Sequence, residues 1–302
     1  REFSKLNLIN IPFYFGNYKL NINSNKIKKQ HNFEKYHRKE EIREKCILLV
    51  TEYLHGGDLE NFADQILDVK EEKDQINIWY SILFQIVFTL AILQDKYKFN
   101  HNDLHFNNIL IDDTIEPGGY LQYKLKTKDG EKTFNIYNYG FIVKIWDMEF
   151  SSINNNTNEL SKMNSELYGN MPVVYDKYYD LHYIINNLID LPLPDEIYKK
   201  ITGLYKDEDL FDLSEITESS DSDSNSFSDS DSNSFSDSDS DSFSEIQPKI
   251  TDKPVIKGRL KNDYDRSELI SPLELLSSNF FDIFVKKIKE RKIVYKYSFI
   301  IE

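Results

Sequence analysis

Residues 75–97 read QINIWYSILFQIVFTLAILQDKY, and they constrain the fold more than any other stretch. Apolar residues occupy nearly every side of a helix drawn through them. The exceptions, Asn77, Ser81, Gln85 and Thr89, recur every four residues and so form one narrow polar stripe. A helix of this kind must be wrapped almost completely by other parts of the chain. Its uninterrupted apolar length is too short for a membrane span, so it reads as the centre of a helical domain and no membrane is expected. The chain can supply the wrapping. It has 302 residues, 40% of them apolar, enough for one large domain or two small ones.

The segments around this helix alternate in type. Leu6 to Tyr18 reads as a strand with a turn at Gly16-Asn17, followed by an exposed loop over 19–45. CILLVTEYL (46–54) reads as a buried strand, and HGGD (55–58) ends it. Asp58 then suits the N-cap of a helix with Leu59, Phe62, Ala63, Ile66 and Leu67 on one face. Beyond the central helix comes a short strand over 108–111. Two strands, 120–127 and 132–138, follow as a hairpin around KDG. GFIVKIW (140–146) is a further buried strand that runs into Asp147. Residues 178–191 fit a helix with Leu181, Ile184, Ile185 and Leu188 inward. Residues 271–291 fit an amphipathic helical region with Ser271 as cap and Pro272 at its first position. The class is α+β.

The net charge of −14 is local in origin. Residues 214–245 hold ten acidic groups and no basic one, which leaves −4 for the rest of the chain. Within this stretch, 220–243 repeats one octapeptide as SDSDSNSF, SDSDSNSF and SDSDSDSF. Such a segment is too charged and too poor in large apolar groups to fold alone, so 214–252 reads as a disordered acidic insertion. Nothing supports a nucleic-acid surface. Cys46 is the single cysteine, which excludes an internal disulfide and fits a reducing compartment, the cytoplasm. The chain opens on Arg1 with no signal peptide, and the expectation is that a segment upstream is missing.

The chemistry concentrates in HNDLHFNNIL, residues 101–110. Asp103 and Asn108 stand five residues apart between two buried elements. An ordinary polar turn is one reading of such a stretch, and three fixed residues recur by chance. Phosphoryl transfer is the other. It needs a hydroxyl positioned by a carboxylate, and magnesium held against the phosphates by oxygen ligands. His101, Asp103 and Asn108 fill an HxDxxxxN pattern, and Asp147 stands at the end of a following strand, where a second metal ligand belongs. LLVTEYLHGGDLENF, a strand followed by Gly-Gly and a helix, reads as a hinge. The conjunction favours the second reading.

These residues resemble the protein-kinase-like superfamily, and most of all divergent kinases of large DNA viruses with haspin-type features. DLHxxN, a hairpin before the second Asp, and YDLHY at 179–183 carry the resemblance. It implies a protein-kinase-like fold made mainly of the helical C-terminal lobe, with a partial N-terminal lobe and hinge over 1–54, the C-terminal lobe over 55–213, and its helical end over 253–302. It implies Asp103 as catalytic base, Asn108 and Asp147 as magnesium ligands, and Glu52 and Leu54 as backbone partners of the adenine of ATP. Thr51 would be the gatekeeper beside the base, with His101, His105 and Asp180 as structural support. The implied activity is phosphorylation of Ser/Thr in a protein substrate, with ATP and Mg²⁺.

Several departures from the pattern keep other readings open. His105 stands where most protein kinases carry Lys, Met148-Glu149 follows Asp147 in place of Phe-Gly, and no Ala-Pro-Glu follows. No Gly-rich loop and no phosphate-gripping Lys precede NIPFYFG, so weak ATP turnover is expected of this chain. A small-molecule phosphotransferase of the aminoglycoside or choline kind, and a non-catalytic scaffold, are the alternatives. The Ser/Asp repeats are expected to accept phosphate or to be a neutral expansion.

Overall fold

The computed structural model describes residues 6, 8–21, 45–128, 130–157, 171–172, 174–205, 260 and 265–301. The acidic repeats and most of the Lys/Asn-rich stretch after residue 21 lie outside the described residues.

Helix α1, Leu59–Leu67, begins where expected: the Asp58 carboxylate accepts the Asn61 N–H at 2.9 Å, and Leu59, Ala63 and Ile66 are buried. Leu67 is exposed, because the chain turns away at Asp68. Helix α2, Glu72–Tyr97, is the long apolar helix. It is long and apolar enough to cross a membrane, yet 89% of its most apolar window is buried inside the fold. Phe84 is its hub, packing against Phe88, Tyr123, Phe134, Phe281 and Phe284. Burial of a side chain this large contributes about 1.5–3 kcal/mol.

The polar stripe on α2 is not wet. Ser81, Gln85 and Thr89 are buried. Gln85 takes the Asn10 amide at 3.0 Å and the Val143 N–H at 3.0 Å on its Oε1. Asn10 also donates to the Val143 carbonyl. The stripe therefore bonds the N-terminal segment and the Asp147 strand to the central helix, and those bonds remove the cost of burying it.

Strands β1, Tyr14–Asn21, and β2, Lys45–Thr51, pair antiparallel. The expected turn at Gly16-Asn17 is a correction: the strand runs through both residues, with only a register irregularity between Tyr14 and Gly16. β2 is also not a buried strand, since Leu48 and Leu49 are 47% and 60% exposed. Among the described residues, this two-stranded sheet leaves those side chains uncovered. β3, Ile109–Asp112, pairs antiparallel with β6, Ile142–Ile145, and both are buried. β4, Tyr120–Thr127, and β5, Gly130–Tyr137, form the expected hairpin. Two-residue strands β7, Ser152–Ile153, and β8, Asn156–Thr157, follow Asp147.

Helix α3, Tyr179–Leu188, buries Leu181, Ile184, Ile185 and Leu188 as its spacing predicts. Helix α4, Asp195–Thr202, adds Ile197 and Ile201 to the core. The C-terminal region departs from expectation. Its helix α5 covers only Pro272–Ser277, with a full capping box between Ser271 and Glu274. Short turns follow, because the Ser277 and Ser278 hydroxyls bond back to carbonyls of the last turn. The chain then ends in a strand that the sequence reading does not contain: β9, Ile293–Ile300, parallel to β4.

Candidate active site

The loop 101–108 is held by groups from three directions. From α3, the buried Asp180 carboxylate accepts the His101 N–H at 2.8 Å and the Asn102 N–H at 2.9 Å. Burial pushes this carboxyl up to about 7, opposed by the two N–H bonds, which favour its ionised form. From the strand end, the Trp146 carbonyl accepts from His101 Nε2 at 2.7 Å. A carbonyl only accepts, so Nε2 carries the proton. Burial lowers this imidazole to about 4, so it is neutral at pH 7. From within the loop, Asn108 Nδ2 donates to the Asp103 carbonyl at 2.8 Å.

The same bonds bring the second acidic position alongside. The Trp146 N–H donates to the Asn108 carbonyl at 2.9 Å, extending the β3–β6 pairing to the residue before Asp147. Asp147 then adopts a left-handed backbone, φ 57° and ψ 69°, which turns the chain off the strand. Asp tolerates this conformation better than most residues. Its carboxylate is exposed, with a long 3.4 Å bond from Glu149 N–H. The Asp103 and Asp147 charges both act on His101, so each carboxylate lies within electrostatic reach of that ring. His105 Nε2 lies 3.7 Å from Asp103 Oδ2.

The segment after Asp147 is fastened to the residues before the loop. Asn100 and Ser152 exchange main-chain bonds of 3.1 and 2.8 Å, and Asn154 N–H donates to the Tyr97 carbonyl. Asn102 Nδ2 donates to the Phe150 carbonyl at 2.9 Å. The Asn100 side-chain amide also clamps the Asp176 main chain, donating from Nδ2 to its carbonyl and accepting its N–H on Oδ1, and Arg266 donates twice to the Asp176 carboxylate at 2.9 and 3.1 Å. None of Asn100, Asn102, Asp176 and Arg266 stood out in the sequence reading. Their partners are far apart in the chain, and an Asn carries no periodic signal.

A cavity of about 480 Å³ borders the strand end at Trp146 that holds this loop, although Asp103, Asn108 and Asp147 do not line it. Thr51 and Glu52 line it from the end of β2, Lys144 to Trp146 from β6, and Met148 from beyond Asp147. Leu8, Ile9 and Ile11 close it from the N-terminal segment. Leu54, half-buried, does not line it. The turn beyond Leu54 is built by close approach: a side chain on Gly56 would meet the Ile111 carbonyl at 2.7 Å, and Gly57 has φ +73° and accepts the Ile111 N–H.

The donor set fits magnesium better than a metal held by protein alone. Among the described residues, no three His, Cys, Asp or Glu side chains converge on one point. Magnesium needs only one or two protein oxygens and takes the rest from water and phosphates. Asn108, whose amide nitrogen is committed to Asp103, and the exposed Asp147 carboxylate are oxygens of that kind.

A family model described as a haspin-like kinase domain matches residues 20–176, half of the chain. The chain belongs to this haspin-like kinase family. Its α+β, protein-kinase-like fold follows. Among curated relatives of this haspin-like chain is "Putative serine/threonine-protein kinase R400" of Acanthamoeba polyphaga mimivirus, 34% identical over 166 residues, 52% of this chain and 33% of that protein. "Probable serine/threonine-protein kinase DDB_G0286465" of Dictyostelium discoideum is 35% identical over 114 residues, 37% of this chain and 9% of that protein. "Putative serine/threonine-protein kinase R301" of the same mimivirus is 36% identical over 126 residues, covering 31% of its length. The haspin-like chain thus spans a third or less of these relatives.

Proposed function

We propose that the chain carries the phosphoryl-transfer centre of a Ser/Thr protein kinase that uses ATP. The observation that carries this reading is the pair of hydrogen bonds that the Asp180 carboxylate accepts from the His101 and Asn102 N–H groups. It fixes the backbone at the point where Asp103 must present its carboxylate. Asp103 is the group that orients the attacking hydroxyl and takes its proton. Asn108 and Asp147 would hold magnesium, which neutralises charge on the phosphates when bound. Thr51 and Glu52, on the cavity wall, are the contacts proposed for the adenine, with Leu54 beside them at the hinge. In this reading residues 1–54 supply part of an N-terminal lobe, and the helices from α1 onward the C-terminal lobe.

The test is Asp103→Asn. Transfer of phosphate to a protein acceptor falls by at least about 10²-fold, the contribution expected of a positioned acid–base group. The thermal midpoint stays within about 2 °C, since the Asp103 carbonyl that Asn108 uses is retained. Undiminished transfer in the variant refutes the reading. A small-molecule acceptor outcompeting protein acceptors would move the assignment to the small-molecule phosphotransferases.

A further inference from the structure

One buried cation near the loop has no part in the chemistry above. Lys144 sits in β6, three residues before Asp147, with its side chain only 6% exposed. Its ammonium pairs with the Glu52 carboxylate, and with Asp112 Oδ2 at 3.3 Å. Asp112 is itself fixed: its other oxygen accepts the Thr114 N–H and hydroxyl at 3.2 and 2.6 Å. Burial would raise the Asp112 carboxyl, but the Thr114 bonds and the Lys144 charge more than offset that and hold it low. Lys144 therefore rests on a charged, hydrogen-bonded base.

What this cation holds is unusual. Glu52 lies just past the end of β2, opposite Phe13 just before β1. Its N–H donates to the Phe13 carbonyl at 2.9 Å, as in a hydrogen-bonded antiparallel pair. In such a pair the two residues exchange both bonds, so Phe13 N–H would normally go to the Glu52 main-chain carbonyl. Here it goes instead to Glu52 Oε1, at 2.7 Å. The same oxygen receives Lys144. The carboxylate thus takes the place of its own residue's carbonyl in the ladder and releases that carbonyl, on a residue that lines the cavity.

We propose that Lys144 and the Glu52 carboxylate are positioning residues for base recognition, which free the Glu52 main-chain carbonyl to accept a hydrogen bond from the exocyclic amine of an adenine nucleotide. The inference rests on the function proposed above and deepens it. A free carbonyl can only accept. It rewards a base with an amine at that edge and penalises one with an oxygen, as in guanine, where two acceptors would meet unpaired. If the carboxylate is removed, Phe13 N–H is left without its acceptor and recaptures the Glu52 carbonyl into the ladder. The preference is then lost through the backbone, not through a contact between side chain and ligand.

The test is titration of the 302-residue chain with Mg-ATP and with Mg-GTP. Four proteins are compared: wild type, Glu52→Ala, Lys144→Met and Lys144→Arg. The expected result is a wild-type preference for ATP of at least tenfold. Glu52→Ala narrows that preference to about threefold or less, chiefly by weakening ATP. Lys144→Met behaves likewise, and Lys144→Arg, which can still reach the carboxylate, restores most of it. Loss of folding would show as a shared loss of both nucleotides and a lowered midpoint. A purely structural ion pair would leave the ATP-to-GTP ratio unchanged, because it has no reason to favour either base. Glu52→Ala with the wild-type ratio overturns the inference and leaves the kinase reading standing. A wild-type chain that binds neither nucleotide overturns both.

Discussion

At the scale of single residues, the loop 101–108 depends on one buried carboxylate. Asp180 is fully buried, and its two oxygens serve the N–H groups of His101 and Asn102. Asp180→Ala would leave two buried donors unpaired, each costing about 1–3 kcal/mol. The expected loss is about 3–5 kcal/mol of stability, read by urea unfolding. Asp180→Asn retains one acceptor oxygen but turns an NH₂ toward the other donor, so it should recover less than half of that loss. Equal stability of Asp180→Ala and wild type would show that water replaces the carboxylate and that the loop is not held from α3. Asp180 was visible in the sequence because it sits at a helical position inside YDLHY. Asn102 was not. Its role rests on a positive φ of 68° and a bond to Phe150, and neither leaves a mark on the chain.

At the scale of elements, the last strand is the least expected and among the most consequential. β9 supplies the outer edge of the β5–β4–β9 sheet. Its inward residues pack on the central hub, with Tyr297 against Tyr123 and Phe299 against Phe88, and Ile301 buried just beyond. Each such side chain contributes about 1.5–3 kcal/mol when fully buried, less where it is partly exposed. Removing 293–302 should therefore cost about 3–6 kcal/mol, comparable to the whole stability of many domains. The expected outcome is a chain recovered in aggregates or with a midpoint lowered by more than 10 °C, measured by circular dichroism. A truncated chain that melts like wild type would make β9 an appendage. IVYKYSFI alternates well enough to be a strand, but it follows a run of lysines and lies far from its partner. A parallel pairing across some 170 residues has no local signal. The hairpin β4–β5 was legible for the opposite reason: its turn and both strands are adjacent. The expected long C-terminal helix failed because its apolar residues serve turns and aromatic packing, not one helical face. The exposure of β2 was hidden too, since an apolar run looks the same whether or not something covers it.

At the scale of the molecule, the buried titratable groups set how stability should vary with acidity. His101 and His182 are both lowered to about 4, chiefly by burial, with the Arg266 charge adding to the effect on His182. In the unfolded chain each binds a proton near pH 6.5. Between about pH 4 and 6.5 the unfolded state therefore holds up to two protons that the folded state lacks, and stability falls as pH falls through that window. Asp180 opposes them. Raised to about 7 by burial, it is protonated in the folded state and ionised in the unfolded state between about pH 4 and 7, which favours folding toward acid. Two protons against one leaves a net loss toward acid of about 1 kcal/mol per pH unit between pH 5 and 6. The depressed Asp112 and Glu274 carboxyls add their own losses only at lower pH, as they begin to protonate in the unfolded chain. Urea midpoints at pH 5.0, 5.5 and 6.0 would measure the slope. His182→Asn removes one of the two histidines and should flatten it to nearly zero. Asp180→Asn removes the opposing group and should roughly double it. A wild-type chain gaining stability as pH falls from 6 to 5 would mean that Asp180 outweighs both imidazoles, and that the loop is held by a protonated carboxyl rather than by neutral histidines.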